Sequence, residues 1–444
     1  MFEFGRDLKR ILGVGAAKGR CDQSFLELLD VELLALHGRS ADIAAGRIST
    51  REPLPHLLDS AMLWREHARR SGDPATVLKS AAAAEAAERA AVTTSERART
   101  LLERALTGLV GADLFGDPAL LEVVRAQLKA AAAFDGDAAH EARLQAAWAR
   151  LASREALASG DYDRALEAAA LFDAAIHVLD ALAAKPGARD LRLEAAAARG
   201  ERADLLIGFG QSLRESRLLE GAIKDLTQLL QRLDPDYEPL TASRMAELRA
   251  SALVGLGEIT GRADLIAEGV SALSDTGEKL QREASPLDWA RYQHALALAL
   301  QALGEACDSD EAYKQAEAAF ERSWTAVRDV NVVMRATVAN NRAACVARRA
   351  ERAGDLTALG RAETAFKSEL TAARAETDPV AWAVLQVNLA RVYEARAELE
   401  GGFKARESAV YAYETALDVF SEHGMKTLSE SAAAGLARVR EAVA

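Results

Sequence analysis

Aromatic residues make up only 5% of this 444-residue chain, prolines number 9 and cysteines 3. Each scarcity excludes something. Cys21, Cys307 and Cys345 show no C-x-x-C spacing, and an odd, sparse set in a long chain argues against a disulfide framework. It suggests a reducing compartment, hence a cytoplasmic protein. All three cysteines are expected to be small, buried or half-buried apolar residues. There is no run of about 18 apolar residues, so no transmembrane helix is expected. The N-terminus lacks the apolar core of roughly 7–15 residues that a secretory signal peptide needs. Basic residues are outnumbered: net charge is −12 and the pI is near 5.3. That argues against a sequence-wide nucleic-acid footprint, which is basic, and fits partners that are basic or apolar.

Catalytic motifs are missing too. The chain has no G-x-x-x-x-G-K-[ST], no G-x-G-x-x-G after a strand, no G-x-S-x-G and no H-E-x-x-H. The seven histidines are scattered, with no pair at metal-ligand spacing. Neither an enzymatic role nor a metal or cofactor is expected.

What is present is an all-helical vocabulary. Half the residues are apolar, mostly Ala, and Ala, Leu, Glu and Arg are strong helix formers. Of the 55 basic residues 44 are Arg, a bias that suggests a GC-rich bacterial genome. The C-terminal half is periodic. Pro286-Leu-Asp-Trp289-Ala290 matches Pro379-Val-Ala-Trp382-Ala383. A small residue followed four positions later by a large apolar one recurs at Ala222/Leu226, Gly269/Leu273, Ala316/Phe320, Ala362/Phe366 and Ala409/Tyr413. Successive small residues lie 47, 47, 46 and 47 apart. A fixed period of that size is the signature of stacked helical hairpins.

Leu389-Ala390-x-x-Tyr393, then Ala409-x3-Tyr413-x2-Ala416-Leu417, is similar to the tetratricopeptide pattern, in which a Leu-small-x2-Tyr helix pairs with an Ala-x3-Phe-x2-Ala helix. The resemblance covers residues 140 to 444, although the period is about a dozen residues longer than the consensus of about 34. It implies an all-α, right-handed α-solenoid of antiparallel helix pairs, with first helices lining the concave face.

Four regions are expected. Residues 1–20 carry Phe4, Leu8, Ile11 and Leu12 on one helical face, and five basic against two acidic residues. This segment is either a docking helix for a membrane surface or partner, making the protein peripheral to the inner membrane, or a first helix folded back on the solenoid. Residues 21–135 are helical without a clear period, read as diverged repeats or a separate cap. Phe25 to Leu36 reads as a first long helix. Ser49 to Pro55 reads as a break, Leu57 to Arg70 as a helix, and Gly111 to Pro118 as a loop. The stretch around Thr93-Thr94-Ser95 lies in one long helix or between two. Residues 136–425 hold the repeats, with helices at 188–210, 217–233, 239–257, 262–282, 286–305, 309–328, 332–352, 357–375, 379–398 and 403–421. Residues 426–444 read as a capping helix.

Candidate binding residues lie on first helices. Asn341 and Asn388 are equivalent, as are Gln293 and Gln386, with Tyr292, Arg342 and Arg391 beside them. Asn can clamp the backbone of an extended peptide and Arg can grip a carboxylate. Peptide-binding tetratricopeptide proteins use such positions, so the resemblance implies a groove here. The alternative is that these amides bond neighbouring helices and hold the stack. Trp289, Trp382, Tyr411, Tyr413 and Phe420 read as core between helices. The expected function is a non-catalytic adaptor binding a protein segment in the concave groove, or else a membrane-associated adaptor or a ligand-sensing solenoid.

Overall fold

The computed structural model describes residues 23–47, 51–185, 188–277, 280–373, 375 and 378–441. Among them are nineteen helices and no strand. Phe4, Leu8, Ile11, Leu12 and Cys21 lie outside the described residues.

The chain opens with α1 (Gln23–Leu26) and α2 (Val31–Gly46). Phe25 to Leu36 is therefore not one helix. Asp30 interrupts it by accepting the Leu33 N–H at 2.7 Å, the cap that starts α2.

Two-residue turns then build hairpins. α3 (Leu54–Ser71) meets α4 (Pro74–Ala90) at Gly72-Asp73. α5 (Thr94–Phe115) meets α6 (Pro118–Ala131) at Gly116-Asp117, and α7 (Ala138–Ser159) meets α8 (Tyr162–Ala183) at Gly160-Asp161. The glycines have φ of 74°, 66° and 65°, the left-handed conformation that ends a helix cheaply only at glycine. Each aspartate then caps the next helix, accepting from the N–H of Ala75, Ala119 and Asp163 respectively. Such a cap is worth about 1 kcal/mol. Pro74 and Pro118 follow at the first helical position, where a missing N–H costs nothing. These turns are spaced 44 residues apart.

α9 (Arg189–Ser212) and α10 (Ser216–Leu230) turn through Arg214, at φ 54°. Four longer-period hairpins follow: α11 (Pro239–Thr260) with α12 (Ala263–Gly277), α13 (Pro286–Cys307) with α14 (Asp310–Val327), α15 (Val332–Ala353) with α16 (Leu356–Ala372), and α17 (Pro379–Glu400) with α18 (Phe403–Glu422). Their first helices start 47, 46 and 47 residues apart, and α19 (Lys426–Glu441) begins 47 after α17. The fold is a stack of antiparallel helix pairs, a tetratricopeptide-like α-solenoid.

The repeated small–large pairs are its core. Ala222/Leu226, Ala316/Phe320, Ala362/Phe366 and Ala409/Tyr413 are each at most 1% exposed, and Gly269 and Leu273 are buried at the same register. The small residue lets the hairpin's first helix press close: a Cβ on Gly269 would stand 2.6 Å from Val254 Cγ2. The large one fills the space beyond, each burial contributing about 1.5–3 kcal/mol.

The chain divides into two compact units, residues 1–295 with 326–333, and residues 296–325 with 334–444. In the first unit, Ala196, Ile207, Leu219, Leu226, Met245 and Leu256 join α9 to α11. In the second, Tyr413, Phe420, Leu436 and Val439 pack α18 against α19.

Several sequence expectations need correction. Pro55 sits in the first turn of α3, not outside it, because that turn donates no helical N–H. Ala91 to Thr93 separates two helices, with Thr93 and Glu96 forming a capping box at the start of α5. Gly111 is not in a loop: α5 runs through it to Phe115, and Gly111 is buried against Val77. Cys307 is exposed at the end of α13 while Cys345 is buried. Tyr411 is 70% exposed and not core, unlike Tyr413 and Phe420. Trp289 is half-buried under Arg282, and Trp382 is half-buried on the core around Tyr413.

Candidate functional site

The second unit carries a cleft of about 410 Å³. Its walls are three first-helix positions, α15, α17 and α19. Ala344, Ala347, Val392 and Ala395 form an apolar floor, with Leu359 and Phe366 of α16 beneath. Charges of both signs rim it.

Some of these charges are committed to the fold. Glu394 accepts from Tyr413 Oη at 2.8 Å and from Arg438 at 3.0 and 3.2 Å. Burial, reinforced by that carboxylate, holds the Tyr413 phenol well above its ordinary range. Arg348 pairs with Glu305 at 3.2 Å. Others are uncommitted. Among the described residues, Arg391, Arg406 and Glu398 make no side-chain hydrogen bond or ion pair, and all three line the cleft. Glu351 reaches solvent, yet its carboxyl is pushed up, first by burial and then by the like charge of Glu398.

The expected binding residues do not all meet here. Asn388 and Arg391 line the cleft. The Asn388 side-chain amide donates to Asn340 Oδ1 at 2.8 Å, and Asn340 donates to Asn341 Oδ1 at 3.0 Å. Asn341 thus belongs to an amide chain between α15 and α17. Arg342 turns away to pair with Glu321 of α14. Gln386 lines a separate hollow of about 360 Å³, with Leu370, Leu389, Tyr393 and Tyr411. Tyr292 and Gln293 are 3% and 7% exposed and sit in the first unit. Tyr292 is turned inward, its hydroxyl against Gly277 of α12, because that glycine leaves room for the ring. Neither residue is presented to a partner.

The sequence reading missed Arg348, Glu351, Glu398, Arg406 and Arg438. A signal existed for two of them. Glu258, Glu305, Glu351 and Glu398 recur at 47, 46 and 47 residues, a carboxylate in the last turn of each first helix. Arg406 and Arg438 have no such periodic mark.

No group of His, Cys, Asp and Glu among the described residues could hold a metal ion. No described helix is long and apolar enough to cross a membrane.

No protein-family model and no curated protein matches the chain. Among solved structures it is similar to a Rap protein complexed with Competence and Sporulation Factor, at TM-score 0.49 and 9% identity over 92% of this chain and 98% of that one. It is similar to aspartyl phosphate phosphatase F from Bacillus subtilis, at TM-score 0.40 and 12% identity over 95% and 94% of the two chains. Its similarity to the TPR domain of P58(IPK) has a TM-score of 0.22 and 16% identity, over 93% and 97%.

Proposed function

We propose that the chain is a non-catalytic protein-binding scaffold whose second unit takes an extended segment of a partner protein in the cleft over α15, α17 and α19. The observation that carries this reading is the set of uncommitted charges around an apolar floor. Arg391 and Arg406 are free to grip partner carboxylates. Glu351 and Glu398 stand ready for a lysine or arginine, and such a cation would relieve their mutual repulsion. The small floor residues Ala344, Ala347 and Ala395 leave room for the partner's apolar side chains.

The test is co-purification from a cell extract followed by mass spectrometry. Wild type is compared with the double variant Arg391→Glu, Arg406→Glu. Neither arginine is hydrogen-bonded or ion-paired in the fold, and binding is compared once the variant is shown to remain folded by its thermal melt. A partner held by wild type and lost by the variant supports the cleft. A partner held equally by both rules the cleft out as its site.

A further inference from the structure

In the first unit, the chain returns to itself through charges. Successive first helices are joined along the sequence by ion pairs: Arg65–Glu103 at 2.7 Å, Arg154–Asp113 at 2.6 Å and Arg150–Glu201 at 2.7 Å. A further contact closes the array. α1 and the end of α3 reach α9, α11 and the start of α13, which lie 166 to 219 residues away in the chain.

Each anchor of this seam is polar. Ser24 donates its N–H and its hydroxyl to Asp190 Oδ1, at 3.0 and 2.7 Å. The Glu27 carboxylate caps α11 from outside: Oε2 accepts from the N–H groups of Leu240 and Thr241 at 2.9 and 3.1 Å, and Oε1 from Thr241 Oγ1 at 2.5 Å. Arg69 reaches Asp288 at 3.4 Å, where Arg244 and Ser285 also donate, at 2.7 and 2.5 Å. Arg70 ties these anchors together. It is 1% exposed and donates to Leu26 O, Leu29 O and Glu66 Oε1, each at 2.6 Å.

The apolar side chains of the same segment belong elsewhere. Phe25, Leu26 and Leu29 pack with Leu34, Ala41 and Leu63 of α2 and α3. One apolar contact also crosses the seam, Leu287 of α13 on Gly72 at the end of α3.

We propose that Ser24 to Leu29 is a strap that opens and closes along this seam, with Arg69 at the end of α3 holding the seam beside it. Hydrophobic packing holds the strap on α2 and α3, while charge-assisted hydrogen bonds hold it on α9 and α11. Opening rehydrates Glu27, Arg69 and Asp288, which offsets much of the lost bonding, because buried charges are costly to keep from water. Of the seam contacts described, only Leu287 on Gly72 is apolar. The helix hairpins do not depend on the seam, so they stay folded when it parts, as a low-energy local opening distinct from global unfolding.

Hydrogen exchange on the full chain tests this, with wild type, Glu27→Gln and Arg69→Gln. The expected result is faster exchange, by about tenfold, confined to residues 24–29 and 240–242 in both variants, with α5 to α8 as protected as in wild type. A uniform rise across the first unit overturns the proposal, since the strap is then part of one cooperative core. Unchanged exchange at 24–29 and 240–242 overturns it as well, since the polar anchors then hold nothing. Arg69 is partly exposed, so its variant keeps the test decisive if Glu27→Gln fails to fold.

Discussion

The side-chain amide of Asn388 donates to Asn340 Oδ1 at 2.8 Å, bridging α17 and α15 across 48 residues of sequence. The bond lies at the edge of the cleft, so one asparagine both joins two hairpins and lines a surface. Truncating it to Asn388→Ala strands the Asn340 oxygen in a half-buried place and should cost about 1 kcal/mol of stability. Urea unfolding measures this. A midpoint unchanged from wild type would show that water replaces the bond at no cost, leaving Asn388 free to serve a partner.

Gly257 and Gly304 occupy the same register of α11 and α13, 47 residues apart. A Cβ on Gly257 would stand 2.6 Å from Ile266 Cγ1 and 2.8 Å from the Arg262 carbonyl, and one on Gly304 would stand 2.9 Å from the Tyr313 ring. Alanine at either position should destabilise by about 1–3 kcal/mol through overpacking. Gly360, inside α16, has nothing within 4 Å of a Cβ. Gly360→Ala should stabilise by about 0.5–1 kcal/mol. Thermal melts of the three variants decide the matter, and equal shifts of one sign would refute the packing distinction.

Burial, with Asp204 close by and Arg291 opposing, pushes the Glu247 carboxyl up to about 7 from an ordinary 4.5. The folded state therefore holds a proton that the unfolded chain releases. The stability tied to that proton is fully present below pH 4.5 and is lost as pH rises through 7. Glu247→Gln keeps a neutral group in place at every pH. Its melting temperature should match wild type at low pH and exceed it above pH 7, and parallel curves for the two proteins would contradict the assignment.

Burial pushes the Cys345 thiol up to about 12, so it carries almost no thiolate at neutral pH, and it is fully covered. Cys307 is exposed. A maleimide reagent on the folded protein should label Cys307 within minutes and leave Cys345 untouched until denaturant is added. Peptide mapping of the labelled protein reads this out, and rapid modification of Cys345 would mean that α15 opens readily.

The hairpin stack was legible where small and large residues alternate at a fixed interval. Ala222, Gly269, Ala316, Ala362 and Ala409 mark second helices because the close approach of a first helix tolerates nothing bigger. Proline marked the starts at 239, 286 and 379 for an equally local reason. The earlier hairpins were harder to see. Their period is 44 and their signal is Gly-Asp at 72, 116 and 160, which specifies turns and not faces, so a search for apolar periodicity passes over it. The candidate site was legible only in part. Asn388 and Arg391 stood out as polar residues on a first helix, but sequence spacing says nothing about which way a side chain turns. Tyr292 went inward because Gly277 made room, and Arg342 went sideways because Glu321 offered a charge.

The first helices α11, α13, α15 and α17 are each 22 residues long, while the second helices between them vary from 15 to 20. At 1.5 Å per residue, 22 residues give a rod of about 33 Å. Variation in length is thus confined to the second helices of these hairpins, and α11, α13, α15 and α17 keep a common length. A strand laid along such a rod rises about 3.3 Å per residue and stays in touch for roughly ten residues. For the partner segment proposed above, a rod of this length sets how many residues can run along α15 or α17 from end to end.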